Sequence, residues 1–226
     1  MRVSAIVLAA GRGSRLKSGL SKPLVRIKDK PIIIYSLEKL NSHPEIAEII
    51  VVANRNNRKA ITALIKEYRL AKVRIVTLGG VRRQDSVSCG LRHLGKNTGL
   101  VLIHDAARPF IEKRLISSLI REAAKCGASV LGIPVKSTLK KTSGRSRLVE
   151  RTVSRKGLWE IQTPQVFRRA LFLESFSTFG RGDEVTDDAM LVEKLGAEVK
   201  IVDGSSRNIK ITSPEDIRVA AAIAGG

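Results

Sequence analysis

The chain has 226 residues, 43% of them hydrophobic, which fits one domain with a sizeable core, and no long polar tract suggests disorder. Its 41 Lys and Arg against 21 Asp and Glu give a net charge of +20, but the charge is spread along the chain and aromatics are only 4%, a pattern that suits anionic small-molecule substrates better than specific nucleic-acid binding. No apolar stretch is long enough to span a bilayer, no leader segment is expected before the fold, and two cysteines, Cys89 and Cys126, read as reduced thiols in a cytoplasmic protein. Residues 4–10 (SAIVLAA) form a short apolar run before Gly11, which reads as a buried strand. The first helix is expected to begin within residues 8–23. Residues 31–40 have helical spacing with Pro31 in the first turn, 47–53 read as a buried strand, and 59–70 as an amphipathic helix. A strand over 73–78 ends at Gly79-Gly80, and a helix over 85–94 stops at Gly95. Then come a strand over 99–104, a helix over 115–125 and a strand over 129–135. This alternation predicts an α/β fold with a mostly parallel sheet flanked by helices.

The rhythm breaks at residues 136–158. They lack a helical period, carry many cations, and hold turn chemistry at Thr142-Ser143-Gly144. We read a β-hairpin arm protruding from a single domain of residues 1–226. An isolated two-stranded ribbon is marginal in water, so the arm is expected to pack on its copy in a second subunit. A helix over 186–195 closed by Gly196, a strand over 198–202, a second short strand over 208–212, and a capped helix start at Ser213-Pro214-Glu215-Asp216 complete the chain.

The stretch LAAGRGSRLKSGLSKP, residues 8–23, holds Arg12, Arg15, Lys17 and Lys22 and no acid. Gly11 and Gly13 open a dinucleotide fingerprint, but its third position is Leu16. Two readings stay open. Glycine N–H groups can cradle a phosphate chain with Arg15 and Lys22 beside it, or the stretch is a tight turn with exposed cations. Residues 90–97 fall one residue short of a phosphate-loop motif and lie along a helix, so they carry no such role. Further function-prone segments, 79–86, 104–109 and 208–212, follow strand ends, where ligands bind in open α/β sheets. Asp105 is the acid placed near a metal, with a helix cap or a partnership with Arg108 as its alternatives. His43, His93 and His104 read as surface, helix and strand-end residues, so no acid–base or nucleophilic set is present.

The segments AAGRGSR, GGVRRQDSV, HDAARP, TVSRKGLW, TPQ, TDD and NIKIT, in this order, resemble the 2-C-methyl-D-erythritol 4-phosphate cytidylyltransferase family over essentially the whole chain. The resemblance implies a Rossmann-like nucleotidyltransferase domain and a homodimer formed through the arm. Its substrates would be CTP and methylerythritol phosphate, with Mg²⁺ as cofactor. By the same resemblance Ala9, Ala10, Gly11, Gly13, Arg15 and Lys22 surround the CTP phosphates, and Gly79, Arg83 and Ser86 lie at the cytosine and ribose. Asp105 meets Mg²⁺, and Lys210 joins Arg15 and Lys22 at the reacting phosphate. Arg108, Thr138, Thr163 and Thr186 hold the acceptor, with Arg155 reaching over from the other subunit. The chain departs from the family pattern at Leu8, Pro23, Val81 and Gln84. A related enzyme for ribitol 5-phosphate or another polyol phosphate is the alternative, and a nucleic-acid-binding protein on a disabled transferase fold is a third reading, opposed by the intact Arg15, Lys22, Asp105 and Lys210.

Overall fold

The structure is a computed structural model that describes residues 1–11, 21–144, 147–180 and 185–225. Strand β1 (Arg2–Ala9) is apolar at nearly every position and occupies the middle of the sheet. Its side chains alternate between two cores, as the two-residue strand period requires. Val3, Ala5, Val7 and Ala9 pack with Ile33, Leu37 and Leu40 of α1 (Ile32–Asn41) and with α4 (Lys113–Cys126). Ile6 faces the other way, against Val87 of α3 (Arg83–Leu91) and Phe172 of α5 (Arg169–Phe179). A strand buried on both faces needs helices on both faces, which is why its sequence reads as a continuous apolar run.

The remaining strands of this sheet are β4 (Ile46–Ala53), β5 (Val73–Leu78), β6 (Thr98–Asp105), β7 (Ala128–Pro134), β10 (Trp159–Arg168) and β11 (Lys200–Asp203). Their order is β11-β7-β10-β6-β1-β4-β5. All neighbours pair parallel except β10, which runs antiparallel to both β6 and β7. Between β4 and β5 lies α2 (Arg58–Glu67), and α6 (Ala189–Lys194) and α7 (Pro214–Ile223) follow later in the chain. A small sheet of β2 (Arg26–Ile27) and β3 (Lys30–Pro31) contributes Ile27, packed with Ile32, Ile211 and Ala220 in a satellite core. Among the described residues no helix is long and apolar enough to cross a membrane.

The arm is present as β8 (Leu139–Ser143) and β9 (Leu148–Val153), which pair with each other and with no other described strand. Thr142 and Ser143 belong to β8, so the reversal begins one step later than the turn chemistry suggested, at Gly144 with φ +43°. Other expectations need correction. The helix expected over 186–195 starts only at Ala189; just ahead of it the Asp187 carboxylate accepts from Met190 N–H. The strand expected over 208–212 is a loop. Its Ile211 N–H donates to Ala107 O at 2.9 Å, and Asn208 N–H to Ser205 O, so no ladder forms. The sequence pattern assigns no element to residues 159–179, yet they form the antiparallel strand β10 and helix α5. The start of the first helix falls mainly on residues 12–20, outside the described residues; Lys22–Leu24 form a single 3₁₀ turn.

His43 is not a surface residue. It is buried, with Nε2 3.0 Å from Ser117 Oγ, while its Nδ1 accepts from Glu45 N–H. His93 lies just past the end of α3 instead of within it.

Candidate active site

From β1 the chain proceeds to β4 and β5 on one side, then crosses to β6 on the other. The crevice beyond β1 and β6 is therefore a topological switch point, the place where open α/β sheets bind ligands. Leu8 lies opposite Asp105 in this ladder, so Ala9, Ala10 and Gly11 emerge beside the Asp105 carboxylate. Gly79, past β5, closes on the same corner. A Cβ built on it would stand 2.5 Å from Ser86 Oγ and 2.8 Å from Ala10 Cβ. The contact leaves no room for a larger residue unless its neighbours shift, and it brings Ala10, Gly79 and Ser86 together.

Two residues that the sequence reading missed hold this corner. Asn54 Nδ2 donates to Ala10 O at 3.1 Å, and the buried Asn57 Nδ2 to Ala9 O at 2.9 Å. Asn57 also donates to Ser21 Oγ at 2.8 Å. The chain therefore returns to the end of β1 immediately before Lys22. Asparagines in a loop normally serve the local turn, and nothing in their spacing announces this longer reach.

Asp105 is the centre of a charged cluster. Lys210 Nζ lies 2.6 Å from its Oδ2. Arg83 Nε and Nη2 lie 3.4 Å from its Oδ1, and Arg83 Nη2 lies 2.6 Å from Asp188 Oδ2. Burial alone would push the Asp105 carboxyl up, but the Arg83 and Lys210 cations override it and hold the group well below the usual carboxylate range. Burial pushes Asp188 up, and Arg83 only partly offsets that. Arg83 itself is held above its ordinary value: burial opposes its charge, and the two carboxylates outweigh burial. Arg83, which the resemblance puts at the cytosine and ribose, has its guanidinium between Asp105 and Asp188. Asp105 takes Arg83 and Lys210 as partners, not Arg108.

A second layer fixes the end of β6. Thr163 Oγ1 accepts from Asp105 N–H at 3.0 Å and lies 3.2 Å from His104 Nδ1. His104 Nε2 lies 3.0 Å from Arg108 O. A carbonyl only accepts, so Nε2 carries the proton and Nδ1 accepts from the Thr163 hydroxyl. This is a neutral imidazole, and burial pushes its pKa down to about 4. Arg108 Nη1 donates to Asn208 O at 2.8 Å, and Asn208 Nδ2 donates to Thr163 O at 3.0 Å. The buried Arg108 Nε finds no acceptor among the described residues. Together with the Ile211–Ala107 hydrogen bond, this stapling explains how a loop residue, Lys210, is aimed at Asp105.

The other candidates lie elsewhere or beyond description. Gly13 and Arg15 fall outside the described residues. Thr138 is exposed at the start of the arm, and Thr186 is exposed with its hydroxyl against Met190 Sδ. Arg155 is exposed at the arm's base and donates to Lys136 O. Within one chain none of these three bonds to the Asp105 cluster.

Mg²⁺ takes one or two carboxylates and fills its remaining positions with water and substrate phosphate. Asp105 offers such a donor at the strand end, and among the described residues no group of three or more His, Cys, Asp or Glu gathers to cage a metal. This donor set fits a cation that arrives with a polyphosphate.

A sequence model described as 2-C-methyl-D-erythritol 4-phosphate cytidylyltransferase matches residues 3–225. The chain belongs to this family. A relative of that name from Geobacillus kaustophilus is 40% identical over 224 residues, covering 99% of this chain and 97% of the relative. A bifunctional enzyme from Desulfotalea psychrophila is 42% identical over 215 residues, 95% of this chain and 55% of that protein. The crystal structure of 4-diphosphocytidyl-2C-methyl-D-erythritol synthase from Anaerococcus prevotii superposes with a TM-score of 0.87 at 31% identity, covering 100% of this chain and 96% of that one. The family agrees with the Rossmann-like, mostly parallel sheet expected from the sequence.

Proposed function

We propose that this chain joins CTP and 2-C-methyl-D-erythritol 4-phosphate, giving 4-diphosphocytidyl-2-C-methyl-D-erythritol and pyrophosphate. The observation that carries the reading is the cluster of Lys210, Asp105 and Arg83 at the switch point beside Ala9–Gly11, within a chain of this family. A phosphate monoester oxygen of the acceptor attacks the α-phosphorus of CTP. The bond to the bridging oxygen breaks and pyrophosphate leaves. The monoester has a second pKa of about 6 and is largely dianionic near neutrality, so no general base is needed. The obstacle is repulsion between two polyanions, and fixed cations aimed at the developing charge remove it.

In this reading Lys210 and Lys22, with Arg15, hold the reacting phosphates. Gly79 and Ser86 shape the nucleoside corner, and the glycines after β1 present N–H groups to the phosphate chain. Asp105 would hold Mg²⁺, which when bound would supply positive charge against the triphosphate. Arg108, whose Nε finds no acceptor among the described residues, faces the acceptor phosphate with Thr186, while Thr163, its hydroxyl proton given to His104 Nδ1, supports the pocket from behind. Thr138 and a second subunit's Arg155 complete that pocket, which makes the working unit a homodimer joined through the arm. The exposed Leu148 and Val149 on β9 support that surface. A cytoplasmic location fits two free thiols.

The test is pyrophosphate release from each NTP against a panel of polyol phosphates. The expected result is turnover with CTP and methylerythritol phosphate far above every other pair. Preference for ribitol 5-phosphate would overturn the acceptor assignment, although the family and the relatives named above speak against it.

A further inference from the structure

Asp188 belongs to the TDD segment, yet the reaction outlined above gives it no task. It is 3% exposed and holds a full charge partner in Arg83 at 2.6 Å. The same guanidinium stands 3.4 Å from Asp105 Oδ1 through two nitrogens. A charge-assisted hydrogen bond spans about 2.7–2.9 Å, so Arg83 is anchored on Asp188 and only approaches Asp105. The Asp188 backbone is fixed as well. Gln165 Oε1 accepts from Asp188 N–H and Ala189 N–H, both at 3.1 Å, while Gln165 Nε2 donates to Asp187 Oδ2 at 2.7 Å. Gln165 sits on β10 and is 1% exposed. The TPQ segment thus clamps the TDD segment, and the TDD segment holds the arginine.

Lys210 already covers Asp105 Oδ2. If Arg83 closed onto Oδ1 to the distance of a charge-assisted hydrogen bond, both oxygens would be capped. We propose that Asp188 is a positioning residue that withholds the Arg83 guanidinium from Asp105, leaving Oδ1 open to a divalent cation arriving with its triphosphate. What arrives at Asp105 rests on the cytidylyltransferase reading; the restraint itself rests on this chain's own contacts.

Two measurements test it. The first needs no activity: the ¹⁵N NMR signal of Arg83 Nη2, the nitrogen bonded to Asp188, in the free protein. Asp188→Asn is expected to move it strongly and Asp105→Asn to leave it near its wild-type position; the reverse ranking overturns the proposal. The second is the Mg²⁺ concentration for half-maximal pyrophosphate release. Asp188→Asn should raise it about tenfold, the equivalent of one charged hydrogen bond. In an Arg83→Met background the same substitution should change it less than about twofold, because residues acting through one partner are not additive. An equal rise in both backgrounds overturns the proposal, since a merely structural role would produce it. If Asp188→Asn does not fold, Gln165→Glu takes its place: it keeps the acceptor oxygen but repels Asp187, and the same two results are expected in weaker form. If the wild-type protein turns over no CTP at all, the cytidylyltransferase reading falls, and the NMR ranking alone decides the restraint.

Discussion

Lys210 Nζ and Asp105 Oδ2 lie 2.6 Å apart, a contact between a loop near the end of the chain and the tip of a central strand. The lysine is not needed to hold that loop, because Asn208 and Ile211 staple it independently. Lys210→Ala is therefore expected to leave the thermal midpoint within a few degrees of wild type. It should lower kcat by about 10²–10³, the loss seen when one preorganised stabilising donor is removed. Steady-state pyrophosphate release and a thermal melt on the same preparation check both halves. Near-normal turnover would remove Lys210 from the reacting phosphates.

Gly79→Ala tests the nucleotide corner by packing. The added methyl meets Ser86 Oγ and Ala10 Cβ well inside contact distance, and neither neighbour is the free end of a long side chain. Overpacking of this kind costs about 1–3 kcal/mol. We expect a lower melting temperature together with a raised KM for CTP and an unchanged KM for the acceptor. Equal changes in both KM values would mean that the corner does not serve the nucleotide alone.

The strands and helices of the sheet's first half are legible because each is apolar on the right period, and some end at glycine, as β1 does before Gly11 and β5 before Gly79. β10 is not. Its Pro164 interrupts the pattern, and its pairing with β7 shifts between Gln162 and Gln165. A proline in a run normally argues against a central strand, and here tertiary pairing overrides that signal. Loop 208–212 failed in the opposite way: Ile209 and Ile211 alternate like a strand, but Ile211 fills the satellite core and its N–H answers a loop carbonyl. At the site, Asp105 and Lys210 could be read from residue type and position after a strand. The Arg83–Asp188 pair could not, because two residues far apart in sequence carry no spacing that predicts their contact. His43 was misread because a lone histidine among polar neighbours gives no hint that a packed helix will cover it.

The arm supplies a third prediction. Leu148 and Val149 are 68% and 60% exposed on a ribbon with no other described strand beside it, and adjacent strand residues face opposite sides. Leu148→Glu with Val149→Lys should shift the protein to a monomer by sedimentation while its far-ultraviolet circular dichroism stays unchanged. Arg155→Ala should leave the assembly intact and raise the KM for the acceptor. Mixed dimers that pair an intact arm with a variant one should recover part of that affinity. Unchanged kinetics for Arg155→Ala would end the cross-subunit assignment.

The last prediction concerns pH. His104 is fully buried and neutral, and its pKa falls from 6.5 in the unfolded chain to about 4 in the fold. Between those values the unfolded state binds a proton that the folded state does not. Stability must then fall as pH drops from 6.5 towards 4, and this contribution levels off below that. At 1.36 kcal/mol for each unit of difference, the loss is on the order of 3 kcal/mol. His43, also buried and lowered, adds a slope of the same sign, so the test is a difference. Urea midpoints of wild type and His104→Gln are measured across the range, and the gap between them is expected to change by that amount. A constant gap would mean that His104 is already charged in the fold, and the hydrogen-bond chain from Arg108 O through the imidazole to Thr163 would have to be redrawn.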